Sequence, residues 1–336
     1  MKTDFKSMHK LIQDADTVAI ACHIRPDGDS IGSSLALRRA LLNMGKSKVD
    51  VYADDIIPDC FTYLEGFDQI KDRTVWDENQ EIPEYDLFVI VDSSTEDRIG
   101  RCARLRQSSK KVLVIDHHTK TFIEGDAVVS NAKHAAVGAM LYEFFTLHKI
   151  EITRDIASAL YTSIATDTGC FMQANTSGFT HTAAAALIET GIDLEKINYI
   201  NFRLYNRKVI PGLSYALRHI KFFSNGEIAY IFMSHKAIKK YNLEGELHQF
   251  KKYASEASGV RIGVIMAERK KGEYNVSLRS HGNADMAKVA ESFGGGGHKN
   301  AAGFTLSGKY KKIFNEIIAR LEQSLVEAQQ SKQALS

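Results

Sequence analysis

The sequence predicts an α/β protein with two domains. Apolar runs alternate with helix-period segments over the first half of the chain, which is typical of a doubly wound, mostly parallel sheet. Three of these runs end on Asp or His, and ligands bind beyond the carboxyl ends of the strands in such sheets. The alternation resumes later in the chain, and 336 residues can form two cores. We expect a larger N-terminal domain, a smaller C-terminal α/β domain, and an active site in the cleft between them.

The composition excludes several classes of protein. With 44% hydrophobic and 25% charged residues, the chain has the composition of an ordinary globular protein. A net charge of +2 gives no support for stable binding to duplex DNA or for binding to a membrane, but it allows a basic groove for a short phosphorylated ligand. The four cysteines form no CxxC pair, and no run of 18 apolar residues occurs. We therefore expect a cytoplasmic protein, and a homodimer remains open.

Hydrophobic periodicity places the elements of the N-terminal domain, residues 1–192. An amphipathic helix is expected over residues 1–13. The expected strands are Val18–Cys22, Lys48–Ala53, Tyr85–Asp92 and Lys111–His117. The expected helices are Ile31–Met44, Ala135–His148, Arg154–Asp167 and Thr180–Thr190, with short helical pieces between Asp54 and Glu84. Asp29 or Ser30 should cap the helix that follows the first strand.

The alternation lapses over residues 193–213, which we interpret as a linker. The C-terminal domain follows at residues 214–330, with a polar tail at 331–336. Its expected strands are Ile228–Met233, Arg261–Ala267, Tyr274–Arg279 and Phe304–Leu306. Its expected helices are Leu247–Ala257, Met286–Phe293 and Tyr310–Ala328.

Eight acidic and imidazole side chains gather at the strand ends and after one helix. They are His23, Asp27, Asp29, Asp92, Asp116, His117, His118 and Asp167. The set is rich in oxygen and has no thiolate, which suits Mn²⁺ or Mg²⁺ and allows Fe²⁺, Co²⁺ or Zn²⁺. So many ligands exceed the needs of one ion, and two ions sharing a carboxylate and a water are the usual arrangement for phosphoester hydrolysis.

Each fragment has a structural alternative when it is considered alone. The Pro26–Asp29 segment can be a turn with a helix cap, and Asp92 can cap a following helix. A single imidazole is more often a surface or core group than a ligand. His117 and His118 should differ in role, since adjacent side chains on a strand point to opposite faces. The recurrence after three separate strands favours a metal site.

A second group of residues predicts a substrate site in the C-terminal domain. Backbone N–H groups of Gly295, Gly296 and Gly297 could cradle a phosphate, although the run could equally be a flexible connector. His298 adds a donor and Arg279 a cation, with Lys299 as a weaker candidate. In the N-terminal domain, Arg98 either faces the site or forms a surface ion pair with Glu96 or Asp97.

These motifs resemble those of the DHH phosphoesterase superfamily. The metal motifs are His23-x-x-Pro26-Asp27-Gly28-Asp29, Val91-Asp92-Ser93, Asp116-His117-His118 and Thr166-Asp167-Thr168-Gly169, and the run from Gly294 to His298 followed by Asn300-Ala301-Ala302-Gly303 resembles the signature of the DHH-associated C-terminal domain. They cover nearly the whole chain in the expected order. The length resembles the compact bacterial oligoribonucleases that also dephosphorylate 3'-phosphoadenosine 5'-phosphate. Two segments depart from the family pattern, residues 130–138 and 206–209, and neither contains a proposed ligand.

The resemblance implies two divalent ions, with Mn²⁺ favoured and Mg²⁺ or Co²⁺ as alternatives. One ion would be held by His23, Asp27 and Asp92, and the other by Asp29, Asp92, His117 and Asp167. His118 would donate to the scissile phosphate or protonate the leaving oxygen, while Asp116 would orient the imidazoles. Arg279 and His298 would bind the substrate.

The expected activity is hydrolysis of short oligonucleotides to mononucleotides, and of 3'-phosphoadenosine 5'-phosphate to AMP. A phosphodiesterase for linear or cyclic dinucleotides, such as pApA or cyclic di-AMP, is the alternative within the class. A nucleotide- or RNA-binding regulator with an inactive site is the alternative from another class, and the complete ligand set argues against it.

Overall fold

The structure is a computed structural model that describes residues 5–72, 81–244, 247 and 250–333. Within these residues, the first unit contains a parallel sheet of five strands. The strands are β1 (Thr17–Ala21), β2 (Lys48–Tyr52), β3 (Tyr85–Val91), β4 (Ser109–Asp116) and β5 (Ala127–Ser130). Their order is β2-β1-β3-β4-β5, and all the pairings are parallel. The predicted mostly parallel sheet is confirmed. The edge strand β5 was not predicted, because its four residues are too few for a clear pattern.

The strand order brings the predicted ligands to one edge of the sheet. The order reverses between the neighbours β1 and β3, so the chain leaves these strands in opposite directions and opens a crevice at their carboxyl ends. His23 follows β1, Asp92 follows β3, and His117 follows β4. Three ligand-bearing loops therefore meet at the switch point of the sheet.

Helices cover one face of this sheet and a 3₁₀ segment covers the other. The helices are α1 (Lys6–Asp14), α2 (Gly28–Asn43), α3 (Val137–Leu147), α4 (Arg154–Asp167), α5 (Gly178–Glu189) and α6 (Leu194–Asn198). Val18 and Ile20 of β1 join the core beneath these helices, while Ala19 and Ala21 join the core of the 3₁₀ segment Glu96–Arg106. Alternate residues of the buried strands thus serve two separate cores.

Two sequence predictions about local structure need correction or completion. Helix α2 is capped by Asp27, whose side chain accepts from the backbone N–H groups of Asp29 and Ser30, so the predicted cap at Asp29 or Ser30 is wrong. The Ser30 hydroxyl instead accepts from the backbone N–H of His23. Within Asp54–Glu84 two 3₁₀ turns form, and residues 73–80 lie outside the described part of the chain.

Helices α2 and α4 approach closely through glycine. A Cβ atom at Gly32 would lie 2.5 Å from the Ala159 carbonyl oxygen and 3.0 Å from the Ser163 backbone nitrogen. The contact therefore excludes any side chain at this position. Because α2 begins beside Asp29 and α4 ends at Asp167, it also sets the spacing of two predicted ligands.

The second unit begins at Tyr205 and contains a mixed sheet. The strands are β6 (Lys221–Phe223), β7 (Ile228–Met233), β8 (Ile262–Lys270), β9 (Glu273–Ser280), β10 (Gly296–His298) and β11 (Ala301–Ser307), in the order β10-β11-β9-β8-β7-β6. The helices are α7 (Ile210–Arg218), α8 (His235–Lys240), α9 (Lys251–Ser255), α10 (Met286–Glu291) and α11 (Tyr310–Gln333). The predicted smaller α/β domain is confirmed, whereas α7, α8, β6 and β10 were not predicted.

The second sheet has two different faces. Tyr274, Val276 and Leu278 of β9 are buried in a core with α10 and α11, while Ser277 and Arg279 on the opposite face are half-buried. Helices α7 to α9 pack on that opposite face, against β7 and β8. Among the described residues, no helix is long and apolar enough to cross a membrane.

We expect Gly32→Ala to lower the free energy of unfolding by about 1–3 kcal/mol, because a methyl group would push apart the α2 and α4 backbones. Urea denaturation followed by circular dichroism measures the change. Gly178→Ala is the matched control, since a Cβ there meets nothing within 4 Å. Equal stability of the two variants would contradict the close packing.

Candidate metal centre

The centre is built around Asp92, the residue that follows β3. Its backbone adopts a left-handed conformation with φ of 56°. This conformation is unfavourable for a residue with a Cβ and costs on the order of 1 kcal/mol. The side chain is buried, with 4% of the residue surface exposed. A strained backbone and a buried carboxylate together indicate a residue placed for function rather than for packing.

The two oxygens of Asp92 face two different imidazoles. Oδ2 lies 3.4 Å from His23 Nε2, and Oδ1 lies 3.4 Å from His117 Nε2. These separations exceed those of ordinary hydrogen bonds, and Oδ1 is buried without a hydrogen-bond partner in the structure. An orphaned buried carboxylate oxygen is costly unless a cation satisfies it. The geometry fits a carboxylate that bridges two ions.

Two clusters of ligand atoms lie on either side of this carboxylate. The first contains His23, Asp27 and Asp92, with His23 Nε2 3.5 Å from Asp27 Oδ1. The second contains Asp29, His117 and Asp167, and His117 Nε2 lies 3.6 Å from Asp29 Oδ2 and 3.7 Å from Asp167 Oδ2. In each cluster the ligand atoms lie within 4.8 Å of one another. The clusters have the residue types and spacing of a centre for divalent metal ions, and imidazole with carboxylate suits Mn²⁺ and its neighbours.

Backbone carbonyls set the orientation of both ligand imidazoles. His23 Nδ1 lies 2.8 Å from its neighbour's carbonyl oxygen, that of Ile24, and His117 Nδ1 lies 3.3 Å from the carbonyl oxygen of His134. A proton on Nδ1 that is donated to a carbonyl leaves the lone pair on Nε2. In both residues Nε2 is the nitrogen that faces the carboxylates. His134 was not predicted, because a backbone carbonyl carries no sequence signal.

Asp29 is held by groups from three helices. Its carboxylate accepts from the hydroxyls of Ser33 (2.9 Å) and Ser163 (2.6 Å). It also accepts from the backbone N–H groups of Val137 (2.9 Å) and Gly138 (3.3 Å), at the start of α3. A metal-ligand candidate on α2 therefore caps α3. This explains how α3 begins although residues 130–138, just before and at its start, depart from the family pattern.

Asn175 holds Asp167 in a similar way. The Asn175 side-chain amide donates to the Asp167 backbone carbonyl (3.1 Å) and lies 3.3 Å from Asp167 Oδ2. It also donates to the Ala135 carbonyl (3.1 Å), just before α3. The side chain thus ties the loop after α4 to the start of α3. The contact of Asn175 with Asp167 was not predicted, because a single Asn in a loop has many possible functions.

Asp116 and His118 form a pair beside the two clusters. The buried Asp116 carboxylate accepts from His118 Nδ1 at 2.6 Å and from the Thr121 hydroxyl. Asp116 belongs to neither cluster, whereas His118 forms a third group of possible ligands with Asp92 and His117, and its Nδ1 lies 3.8 Å from Asp92 Oδ1. The bond to Asp116 fixes the His118 ring next to the bridging carboxylate.

The pKa values show how closely the charges are coupled. Burial lowers the pKa of His23, but Asp27 and Asp92 outweigh this and raise it to about 10. His117 responds in the same way to Asp92 and Asp29, and its pKa also rises to about 10. Burial raises the pKa of Asp92, but the two imidazoles bring it below its usual range. Protons on the imidazoles thus supply the positive charge that divalent ions would bring, and ion binding would release them.

The two remaining buried carboxylates show the cost of collecting anions here. Burial raises the pKa of Asp29, and the charge of Asp92 raises it further. Burial likewise raises the pKa of Asp167, to which Asp92 also contributes. Both shifts disfavour the ionised carboxylate, and a bound cation would reverse them.

Arg98 lies beside the first cluster. Its guanidinium Nη2 is 3.2 Å from His23 Nδ1, and its carbonyl accepts from the Ile24 backbone N–H. Among the described residues, no ion pair joins Arg98 to Glu96 or Asp97, and Glu96 pairs with Arg106 at 3.0 Å. A cation next to the centre is suitably placed to attract a phosphate.

The second unit arranges the other predicted residues in one row of its sheet. Arg279 pairs in register with Ala301, and Ala301 pairs with His298 on the edge strand. The Arg279 guanidinium donates to the Leu278 carbonyl at 2.9 Å, and burial lowers its pKa. A partly buried cation without an ion pair among the described residues is a good anion-binding candidate.

The three predicted glycines of this unit lie in different environments. Gly295 donates its N–H to the Ala290 carbonyl, and a Cβ there would lie 2.4 Å from Phe304 Cβ. Gly297 has φ of 144° and packs against Ala302. A Cβ on Gly296 would meet nothing within 4 Å, so packing does not require glycine at that position. Gly296 is therefore the position most suited to close approach by a ligand.

Comparison with protein families now adds to this geometry. A family model described as the DHH family, N-terminal domain, matches residues 17–164, and a DHHA1 domain model matches residues 226–327. The chain thus contains both domains of the DHH family, in the order that the motifs predict. The first match includes most of the clustered ligands, and the second includes Arg279 and the glycine run. The resemblance inferred from the motifs is confirmed.

Relatives of this DHH-family protein match it over most of their length. The bifunctional oligoribonuclease and PAP phosphatase NrnA of Thermus thermophilus is 29% identical over 313 residues, which cover 93% of this chain and 91% of the relative. The protein of the same name from Bacillus subtilis is 25% identical over 87% of this chain and 90% of its own. An exopolyphosphatase-related protein from Bacteroides fragilis has the same fold, with a TM-score of 0.85 at 24% identity and coverage of 95% of this chain and 94% of its own.

We expect Asn175→Ala to weaken Mn²⁺ binding by about 10–100-fold, as is typical when a group that orients a metal ligand is removed. Titration of Mn²⁺ followed by electron paramagnetic resonance measures the affinity. Thr182→Ala, on the exposed side of α5, is the control, because its hydroxyl bonds only its own helix, at the Gly178 carbonyl. Unchanged affinity in the Asn175 variant would contradict the role of its amide.

Proposed function

We propose that this protein is a two-metal phosphohydrolase that degrades short oligoribonucleotides to mononucleotides and dephosphorylates 3'-phosphoadenosine 5'-phosphate to AMP. The observation that carries the proposal is the Asp92 carboxylate, whose two oxygens each face a separate His–Asp cluster. Paired sites of this kind are used to attack phosphate esters. The relatives named as oligoribonucleases and PAP phosphatases support the substrate class.

The proposed ligand sets follow the two clusters. His23, Asp27 and Asp92 would hold one ion, and Asp29, Asp92, His117 and Asp167 the other. We assign Mn²⁺ to both positions, because a mixed imidazole and carboxylate set suits it, with Mg²⁺ or Co²⁺ as substitutes. Bound divalent ions would lower the pKa of the attacking water and offset charge on the phosphate.

His118 is the proposed acid of the reaction. Asp116 occupies His118 Nδ1, so proton transfer to the leaving oxygen would proceed from Nε2. The Asp116 hydrogen bond also raises the pKa of His118, which favours the protonated form that a general acid needs. Thr121 and the His118 backbone N–H hold Asp116 in place, so the acid is oriented before substrate arrives.

The substrate groups are proposed from both units. Arg98 would bind phosphate oxygens next to the first cluster. Arg279 and His298, in one row of the second sheet, would bind another phosphate of the substrate, with Gly296 allowing close approach. Binding of one end of the substrate in the second unit would favour short substrates.

We expect hydrolysis of pApA with Mn²⁺ to be at least about 100-fold faster per enzyme than hydrolysis of a 24-mer RNA, since the proposed substrate groups would bind the end of a short substrate. Product release followed by anion-exchange chromatography gives both rates. Cyclic di-AMP and 3'-phosphoadenosine 5'-phosphate complete the panel.

Asp92→Ala should abolish all of these activities, by several orders of magnitude, because both ions lose a ligand. Asp97→Ala, an exposed aspartate of the neighbouring loop, is the matched control and should retain full activity. Equal rates on pApA and the 24-mer would contradict the length preference. A dominant rate on cyclic di-AMP would favour a cyclic dinucleotide phosphodiesterase, and no turnover by the wild-type protein would favour a binding regulator.

A further inference from the structure

The net charge of +2 conceals opposite charges on the two units. Residues 1–204 contain 22 Lys and Arg against 30 Asp and Glu, a formal charge of −8. Residues 205–336 contain 21 against 11, a formal charge of +10. A unit of this size and charge attracts polyanions. The proposed substrate site uses few of its cations, so most of the positive charge needs another explanation.

Six of these cations gather at one end of the second sheet, which we call the hairpin patch. Its residues are Arg269, Lys270, Lys271, Lys309, Lys311 and Lys312, and all of them are exposed. Two separate segments contribute them, the β8–β9 turn and the start of α11. The Gly308 backbone N–H donates to the Gly272 carbonyl at 2.8 Å, which places Lys271 and Lys309 on either side of one hydrogen bond. The patch is therefore formed by folding rather than by one basic run.

The positive charge of the patch is only weakly compensated. Glu268 directs its carboxylate to the backbone N–H groups of His235 and Gly272. The one ion pair that involves the six cations, among the described residues, joins Lys312 to Glu316 at 3.8 Å. Both side chains of that pair are largely exposed, and such pairs contribute little.

Three lysines of the patch also lie at positions where they do not stabilise the fold. Lys309, Lys311 and Lys312 surround the N-terminus of α11, a helix of 24 residues with no acidic residue in its first turn. The helix dipole is positive at that end, so each lysine there is slightly unfavourable. Stability alone would place acidic residues at these positions. Binding of an anion would explain why lysines occupy these positions.

We propose that the hairpin patch binds the phosphate backbone of single-stranded RNA, at a site separate from the proposed substrate groups. The patch is at the opposite end of β9 from Arg279, about 20 Å away at the rise of an antiparallel strand. A strand several nucleotides long presents phosphates at the spacing of adjacent lysines, and a mononucleotide does not. The surface thus holds RNA longer than the substrate that the enzyme would cleave.

The test is binding of a fluorescein-labelled 24-mer RNA to the full-length protein, followed by fluorescence anisotropy. EDTA is present, so that divalent ions are removed and cleavage is prevented. The patch variant carries Lys271→Gln, Lys309→Gln and Lys311→Gln. Its affinity at about 50 mM salt should fall about tenfold or more, and the slope of log affinity against log salt should become shallower by about 2, since three phosphate contacts are lost.

The control variant carries Lys149→Gln, Lys196→Gln and Lys221→Gln, which remove three exposed lysines elsewhere. It should bind like the wild type. Hydrolysis of pApA with Mn²⁺ should stay within about twofold of the wild type in both variants, so failure of the proposed catalysis is scored separately. Equal loss of affinity in both variants, or none in the patch variant, would overturn the proposal. So would competition by poly-glutamate as strong as that by RNA, since the patch would then bind acidic protein.

Discussion

The buried carboxylate of Asp92 is the constraint on which the first unit depends. Its two oxygens face His23 and His117 from a left-handed backbone position, and one of them has no hydrogen-bond partner. A carboxylate at such depth is strongly unfavourable without nearby positive charge, which the two protonated imidazoles supply in the absence of divalent ions. The surrounding structure must therefore hold the Asp92 carboxylate in place, and a bound cation would stabilise it. The parallel sheet serves this purpose by bringing three strand ends to one switch point.

A network of polar groups around the clusters links the ligands to the helices. Asp29 caps α3 while it faces His117, and Asn175 joins Asp167 to Ala135, two residues before α3. The close packing of α2 and α4 at Gly32 sets the distance between Asp29 and Asp167. Ion binding and helix packing are therefore coupled, because the same side chains take part in both. The second unit instead has few acidic residues and an excess of cations, which suit it to binding anionic chains.

The sequence predicted most of the first sheet and the ligand-bearing strand ends, because long apolar runs ending on Asp or His leave few alternatives. Helix α4 was predicted to the residue. Short edge strands such as β5 and β10 were missed, since three or four residues form no periodic pattern. The groups that orient the ligands were also missed. The His134 carbonyl, Ser163 and Asn175 act through contacts between segments distant in sequence, and only the fold brings them together.

Counting the bound ions tests the central claim most directly. Equilibrium dialysis against Mn²⁺, with the metal content measured by mass spectrometry, gives the number of ions per chain. The shared position of Asp92 predicts two ions per wild-type chain and weakened binding of both in Asp92→Asn, because each proposed ion loses a charged ligand. A single ion in the wild type, or two ions retained with unchanged affinity in the variant, would contradict the bridging carboxylate.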